Sequence, residues 1–470
     1  MKRQAARCVG LLVLLVAVGV FGCKKEAPAP APTPPSEPAA APAGPEAAPV
    51  EGSPGKALAE EQEVIIWWAQ WDPSDGLQNV GNEFEKRTGI AVHVHQIPWP
   101  SYQDQVTMNF GGKQTNFDIV IGDSQWLGWG ATKEFYVDLT NWLKENVDVS
   151  AIHPLSLRYL CEYPTGSGNY FAAPCEIDAT GFTYRKDWFE DPEEQAAFAA
   201  EYGRPLTIPD TWEELRDLAE FFNRPDEKRY GCVLLTGRGY DSLIMGFQQI
   251  MWAYGGDWGN RETYEVDGYL NSAGSAEALA FMKELLGFAP PGATNFDWSK
   301  CLEAFNNGST AMQMNYFTFY PSICRVMGDK VGFFIMPRKG ERRFASLGGQ
   351  GFSISKKIPE ARQERAKKFI AWFLSEEGQQ LWIRQEAGFT SNVALLKSEA
   401  FKVATPYNPA FAESLDHLKD FWNIPVYGEL MTTAVKRIAE AIDGECSPQE
   451  ALDTLTAEHE AILRDGGFLK

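Results

Sequence analysis

The succession of short apolar runs between positions 63 and 121 constrains the fold of this chain more than any other feature. Residues 63–68 read as a fully buried strand, residues 90–95 alternate as a second strand, and residues 117–121 form a third. Segments with helical spacing separate them. Strands joined by single helices and short turns pair in parallel, because each crossover returns the chain to the same end of the sheet. The sequence therefore predicts an α/β fold with helices on both faces of a mainly parallel sheet.

The two intervening helices carry start and stop signals. Ser74 and Asp75 supply an N-cap for the first helix, and Gly89 ends it. Ser101 and Asp104 make a capping-box-like start for the second. Further helices and strands follow in the second half of the chain and predict another α/β lobe. The folded part has about 400 residues, too many for one ordinary core, which favours two domains.

The first residues predict export and a lipid anchor. Lys2, Arg3 and Arg7 precede an uncharged apolar run at 9–21, which suits a signal peptide and is shorter than the ~20 residues that span a bilayer. The run ends in Val-Phe-Gly-Cys, which resembles a bacterial lipobox. We therefore expect a signal peptide at 1–22 and lipidation of Cys23.

The next segment, residues 23–60, is rich in proline and alanine. It has too few large apolar side chains to offset the entropy of ordering, and its prolines favour an extended chain that reaches up to ~100 Å. This segment is predicted to be a disordered tether.

Composition excludes several function classes. The formal charge is −20, and the loss of three signal-peptide cations would make it more negative still. Such a surface argues against nucleic acid and anionic membrane surfaces as partners. No phosphate-binding loop, dinucleotide fingerprint or Gly-x-Ser-x-Gly elbow occurs, so no cofactor is expected.

The cysteines permit disulfides without defining them. Six remain after Cys8 and Cys23 are set aside, and an even number in an oxidising compartment allows fifteen full pairings. None has metal-ligand spacing. They are Cys161, Cys175, Cys232, Cys301, Cys324 and Cys446. Cys161 with Cys175 is the first pair to test, because a turn-rich segment lies between them.

Three tryptophans follow the three predicted strands. Ligands of α/β sheets bind outside the carboxyl ends of the strands, where this chain places Trp71, Trp99 and Trp126 beside polar side chains such as Gln125. A pocket for a sugar needs flat aromatic surfaces and short polar groups, because sugars present apolar C–H faces and a rim of hydroxyls. Packing between lobes is an alternative role for any single one of these tryptophans.

Other readings stay open. Glu176 and Asp178 are spaced like two carboxylates on one face of a strand, as in a glycoside hydrolase, although no second feature supports catalysis. His93 and His95 could hold a metal, but histidines on a solvent-facing strand are commoner. Tryptophans with carboxylates would also suit a cation such as a polyamine. A surface adhesion module would use the tether equally well.

Four stretches together resemble a known family. They are F-E-K-R-T-G-I-A-V at 84–92, Y-R-K-D-W-F at 184–189, F-N-N-G-S-T-A-M at 305–312, and the pair at 347–357 and 369–379. Their order and spacing are similar to the carbohydrate-binding branch of the extracellular solute-binding proteins, the group typified by maltose-binding protein. That resemblance implies two α/β lobes around a ligand cleft, each with a doubly wound, mainly parallel sheet. The first lobe would comprise 63–176 plus 348–386, and the second 178–345 plus 389–470.

The resemblance also implies ligand contacts and a role. By position, the contacts fall near Trp71, Asp72, Gln125, Trp126 and Asp178. Weaker candidates are Asp257, Trp258, Tyr316, Gln350 and Tyr427. Thr318 stands where the family often has a tryptophan. The implied protein is a monomeric, non-enzymatic receptor, held to a membrane through Cys23. It would pass a sugar or oligosaccharide to the transmembrane subunits of an ABC importer.

Overall fold

A computed structural model describes residues 62–470 of the chain. The predicted signal peptide, the lipidation site at Cys23 and the tether lie outside the described residues. Within 62–470, no helix is both long and apolar enough to cross a membrane.

The strands alternate with helices along most of this region. They are β1 (Glu63–Ala69), β2 (Ala91–Ile97), β3 (Ile119–Asp123), β4 (Ala173–Arg185), β5 (Tyr230–Val233), β6 (Thr310–Tyr316), β7 (Val331–Ile335), β8 (Arg338–Lys339), β9 (Arg342–Arg343), β10 (Ala345–Ile354) and β11 (Leu418–Lys419). The helices are α1 (Asp72–Thr88), α2 (Trp99–Phe110), α3 (Ser124–Thr132), α4 (Thr140–Asn146), α5 (Lys186–Phe189), α6 (Pro192–Tyr202), α7 (Trp212–Phe222), α8 (Ser242–Tyr254), α9 (Ala273–Leu286), α10 (Trp298–Asn306), α11 (Tyr320–Met327), α12 (Glu360–Phe373), α13 (Glu376–Trp382), α14 (Val393–Leu396), α15 (Glu399–Lys402), α16 (Asn408–Ser414), α17 (Tyr427–Asp443) and α18 (Pro448–Asp465).

The first three strands confirm the predicted arrangement. Strand β1 pairs in parallel with β2 on one side and with β3 on the other. Helix α1 begins at Asp72, ahead of the predicted cap, because Pro73 in its first turn is already preset for helical geometry. Gly89 ends the helix with φ of 72°, as predicted. Helix α2 begins at Trp99, and no side chain caps it, so the predicted capping box is wrong.

The rest of the sheet is mixed, not mainly parallel. The strand order is β2-β1-β3-β10-β4-β6-β5, with β11 beside β10 and β7 beside β4. Strand β10 is antiparallel to both β3 and β4, and β4 is antiparallel to β6 and β7. The parallel rule therefore holds for β1–β3 and for β5 with β6. The long strand β4 runs against β10, β6 and β7, while β10 runs against β3 and β4 and is parallel to the short β11.

Two hydrophobic clusters lie along this sheet. The first cluster draws its buried residues from between 64 and 175 and between 352 and 382. The second cluster draws them mainly from between 177 and 347 and between 383 and 463, together with Leu160 and Cys161. Strand β4 pairs with β10 through its first half and with β6 and β7 through its second half, so it runs from one cluster to the other. The lobe boundaries drawn from the resemblance stay a prediction.

All six cysteines of the described region are free thiols. Cys161 and Cys175, the first pair to test, are both free, so the suggested bridge is not formed among the described residues. Burial raises the pKa of both thiols, which makes them unreactive packing residues.

Candidate functional site

A cavity of about 480 Å³ lies where β4 and β10 pass between the two clusters. It opens beside the carboxyl ends of β1 and β3, as the sheet topology predicts. We call it the inner cavity. Gly349 of β10 has φ of 96°, and a Cβ atom there would lie 2.5 Å from the carbonyl oxygen of Glu176. Only glycine allows β10 to approach β4 this closely beside the cavity.

One side of the inner cavity is aromatic. Trp71 and Trp99 stack with ring centroids 5.5 Å apart, Phe319 lies 5.8 Å from Trp71, and Trp298 lies 6.1 Å from Trp99. These four rings form what we call the aromatic wall. All four are half-buried, in contrast to the fully buried tryptophans of the core. Within the described region the indole N–H of Trp71 has no hydrogen-bond partner. The wall thus gives the inner cavity an apolar surface.

Asp178 of β4 lines the same cavity as the aromatic wall. Its carboxylate accepts hydrogen bonds from the backbone N–H groups of Ala179 (2.7 Å) and Thr318 (3.3 Å). Burial raises the pKa of Asp178 to about 8, while these backbone donors oppose the shift. The hydroxyl of Thr318, a residue 2 % exposed that also lines the cavity, has no partner among the described residues. Both residues offer polar groups to an occupant.

Asp123 ends β3 and holds a fixed position at the cavity. Gln350 of β10 donates its amide to Asp123 over 2.5 Å, and accepts the indole N–H of Trp68. Desolvation raises the pKa of Asp123 to about 7, and the hydrogen bond from Gln350 partly offsets this shift. The pairing orients the carboxylate, so that its remaining lone pairs can accept a ligand hydroxyl.

Asp241 is the third carboxyl group of the inner cavity and precedes helix α8. It accepts a hydrogen bond from the hydroxyl of Tyr427 over 3.0 Å. Burial and the nearby charge of Asp123 raise its pKa well above the usual range. Among the described residues that line the cavity there is no lysine, arginine or histidine. The inner cavity is therefore rich in hydrogen-bond acceptors and has no fixed positive charge.

Glu176, the other half of the suggested catalytic pair, does not line the cavity. Its side chain is fully buried, and neither carboxyl oxygen has a partner within residues 62–470. Burial and the charge of Asp178 raise its pKa well above the usual range, which favours the neutral form. A glycoside hydrolase needs two acids that flank the scissile bond of its substrate. Of this pair, only Asp178 lines the cavity.

The structure brings together six of the predicted site residues. Trp71, Trp99, Gln125, Asp178, Tyr316 and Gln350 all line the inner cavity. Trp126 and Tyr427 instead line a neighbouring space of about 690 Å³, the side cavity, to which Gln125 also contributes. Trp126 turns away from the inner cavity because its indole N–H donates to the hydroxyl of Tyr240 over 2.7 Å.

Three of the predicted site residues lie outside the inner cavity. Asp72 forms an ion pair with Arg325 at 2.8 Å. Asp257 pairs with Lys419 at 2.6 Å. Trp258 is fully buried in the second cluster, where its indole N–H donates to Gln248. None of the three lines the inner cavity, because each is committed to packing or to an ion pair.

Sequence reasoning missed Asp123, Asp241, Trp298 and Phe319. Asp123 could have been found, because it is the last residue of a strand whose end was already expected to meet ligand. Asp241 precedes a helix and Trp298 begins one in the second half of the chain, and no spacing links them to the strand ends.

His93 and His95, the suggested metal ligands, lie exposed on β2, and residues 62–470 contain no cluster of three potential metal ligands.

Comparison with known proteins agrees with this arrangement. The sequence model of the bacterial extracellular solute-binding proteins matches residues 70–380. The mannitol-binding protein of Pseudomonas aeruginosa is 24 % identical over 425 residues, covering 84 % of this chain and 91 % of its own. A solute-binding protein of Agrobacterium radiobacter K84, solved with ribitol, is 26 % identical with a TM-score of 0.72, over 84 % of this chain and 98 % of its own. Maltose-bound MalE3 of T. maritima is 22 % identical with a TM-score of 0.74, over 85 % and 100 %.

These likenesses confirm the predicted two-lobed α/β fold of a periplasmic binding protein. The family match also covers well over half of the chain. The protein therefore belongs to the bacterial extracellular solute-binding proteins.

Proposed function

We propose that this protein captures a neutral sugar or sugar alcohol in the inner cavity and delivers it to an ABC importer. The observation that carries the proposal is that an aromatic wall and three hydrogen-bonded or buried carboxyl groups line the same cavity. A sugar unit can pack its C–H face on Trp71 while its hydroxyls donate to Asp178 and Asp123.

Relatives support the same ligand class. The three similar proteins described above are named for, or were solved with, mannitol, ribitol or maltose. These compounds have several vicinal hydroxyls and are uncharged. Proteins of this family act as receptors, so no catalytic turnover is expected.

We further propose that the protein acts outside the cytoplasm, as a monomer tied to a membrane through lipid on Cys23. The motif at residues 20–23 and the proline-rich segment after it support this. Replacing Cys23 by serine should move the protein from the membrane fraction to the soluble fraction, or leave an uncleaved precursor. A Cys23→Ser protein that still fractionates with lipid as the parent does would contradict the anchor.

A cationic ligand is a second candidate, and one observation favours it. Three carboxyl groups face the inner cavity without any basic residue among its described lining. An ammonium group there would pair with Asp178 or Asp241 and lie against the aromatic wall. Mannitol, ribitol and maltose, the compounds linked to the similar proteins, are neutral, so we rank the cationic ligand second.

A thermal-shift experiment distinguishes the two candidates. D-mannitol, ribitol, maltose and spermidine are each added to the purified protein at increasing concentration. A ligand at a hundred times its Kd stabilises the folded state by about 2.7 kcal/mol. We expect saturable stabilisation by at least one of the three neutral compounds. Stabilisation by spermidine alone would support the cationic candidate, and conversion of a bound sugar to product would contradict a receptor role.

A further inference from the structure

The aromatic wall has a second side. Trp71, Trp99, Trp298 and Phe319 also line another space of about 780 Å³, which we call the outer cavity. The inner and outer cavities therefore meet at the same four half-buried rings. Rings that belonged only to a core would be covered on both faces. Four large rings with open space on two sides are instead typical of a surface that an occupant covers.

The outer cavity contains a buried polar group with nothing to bind. Ser242, the first residue of α8, lines this cavity and is 1 % exposed. Its hydroxyl has no hydrogen-bond partner in the part of the chain that the structure describes. A buried polar group of this kind costs free energy unless a ligand or water satisfies it. This observation is independent of the aromatic wall and points to the same space.

The chemistry of the outer cavity suits a neutral occupant. Its arginine, Arg238, is already paired with Asp443 through two contacts of 2.7 Å. Asp297 accepts the backbone N–H of Lys300 as a helix cap. Lys300 donates its ammonium to the backbone carbonyl of Asn295 over 3.4 Å, and the exposed side chains of Gln70 and Ser299 are uncharged donors and acceptors. A sugar hydroxyl can hydrogen-bond with each of these groups.

We propose that the outer cavity is a second sugar subsite, so that the ligand is a glycoside of at least two units. One unit occupies the inner cavity beside Asp178, and the next packs against the aromatic wall in the outer cavity beside Ser242. This assignment rests on the proposed function, because it extends the same ligand beyond the inner cavity.

Gly239 offers a clean way to block this subsite. It lines the outer cavity, and a Cβ atom there would meet no other atom within 4 Å. Gly239→Trp should therefore fill the outer cavity without strain. Gly428 is a matched control, because it lines the side cavity and is equally open. Ser299→Trp blocks the outer cavity from helix α10 and replaces Gly239→Trp if that variant fails to fold.

Calorimetry with three matched pairs tests the subsite. The pairs are D-mannitol with 1-O-α-D-glucopyranosyl-D-mannitol, D-glucose with maltose, and D-galactose with galactobiose. We expect at least one two-unit compound to bind tenfold or more tightly than its single-unit partner. A blocking variant should remove at least tenfold of that affinity, and should leave any single-unit affinity within twofold. Gly428→Trp should change neither.

Two outcomes overturn the subsite while the proposed function survives. One is that single units bind and no two-unit compound binds more tightly. The other is that a folded blocking variant retains the parent affinity for the two-unit compound. If no sugar binds at all, the proposed function fails, and the subsite falls with it.

Discussion

The two walls of the inner cavity are built in different ways. The first wall consists of Trp71, Trp99 and Asp123, which follow or end the adjacent strands β1, β2 and β3. The second wall gathers residues from four separate elements: β4, the start of α8, α10 and the segment before α11. One edge of a parallel sheet fixes the first wall, whereas tertiary packing assembles the second. A ligand that contacts both walls should lose affinity when either is altered.

The largest expected effect lies on the second wall. Asp178→Ala removes an acceptor that we expect to carry charge when a sugar hydroxyl donates to it. Hydrogen bonds to charged groups contribute about 1.5–3 kcal/mol, so affinity should fall roughly ten- to a hundredfold or slightly more. Calorimetric titration measures the loss. Asp72→Ala is the control, because that carboxylate pairs with Arg325 outside the cavity and its loss should weaken affinity by no more than about fivefold. Equal behaviour of the two variants would contradict the assignment of Asp178.

The first wall should respond by a similar or somewhat smaller amount. Trp71→Ala removes one ring from the aromatic wall, and burying such a side chain contributes about 1.5–3 kcal/mol. Affinity should fall about ten- to a hundredfold, with little change in the melting temperature of the ligand-free protein. Trp126→Ala should behave oppositely, because that ring is 4 % exposed and lies outside the inner cavity. Affinity loss in Trp126→Ala with none in Trp71→Ala would show that the ligand occupies the side cavity.

Two carboxyl groups of the inner cavity should make the stability of the folded protein depend on pH. Burial raises the pKa of Asp123 to about 7 and of Asp178 to about 8, so the folded state binds protons that the unfolded chain has released. Stability from these groups is fully present below about pH 4 and is lost as the pH rises through 7 and 8. The ligand-free protein should therefore melt at a lower temperature at pH 8.5 than at pH 5.5. Asp178→Asn should reduce that difference, and an unchanged pH profile in this variant would contradict the shift.

The smallest effect concerns an ion pair between helices α1 and α11. Arg325 of α11 pairs with Asp72 of α1, and both side chains are substantially exposed. Exposed pairs contribute about 0.2–1 kcal/mol, so Arg325→Ala should weaken sugar binding by no more than about fivefold. Calorimetry at low and high salt checks this, since screening should remove the difference. A loss of a hundredfold would mean that Arg325 contacts the ligand.

The contrast between the walls also explains what the sequence could reveal. Trp71, Trp99 and Gln125 were found because one local rule, the carboxyl ends of parallel strands, places them together. Asp241 and Trp298 were missed because they reach the cavity through the packing of α8 and α10, and no local pattern encodes that packing. The same limit applies to Trp126 and Trp258, which were also predicted at the site: their indole N–H groups bond to Tyr240 and Gln248, and neither ring lines the inner cavity.

At the level of the fold, the parallel pairing of β1, β2 and β3 followed from short connections. The antiparallel course of β4 and β10 did not, because their partners lie more than a hundred residues away in the chain. Long-range pairing leaves little trace in local periodicity.

We expect a sugar unit of the ligand to lie between the two walls of the inner cavity. The most direct measurement is a crystal structure of the protein with the compound that stabilises it most among D-mannitol, ribitol and maltose. We expect a ligand in the inner cavity, with one face against Trp71 and a hydroxyl within about 3 Å of Asp178. A ligand found instead in the side cavity beside Trp126, or out of contact with either wall, would contradict it.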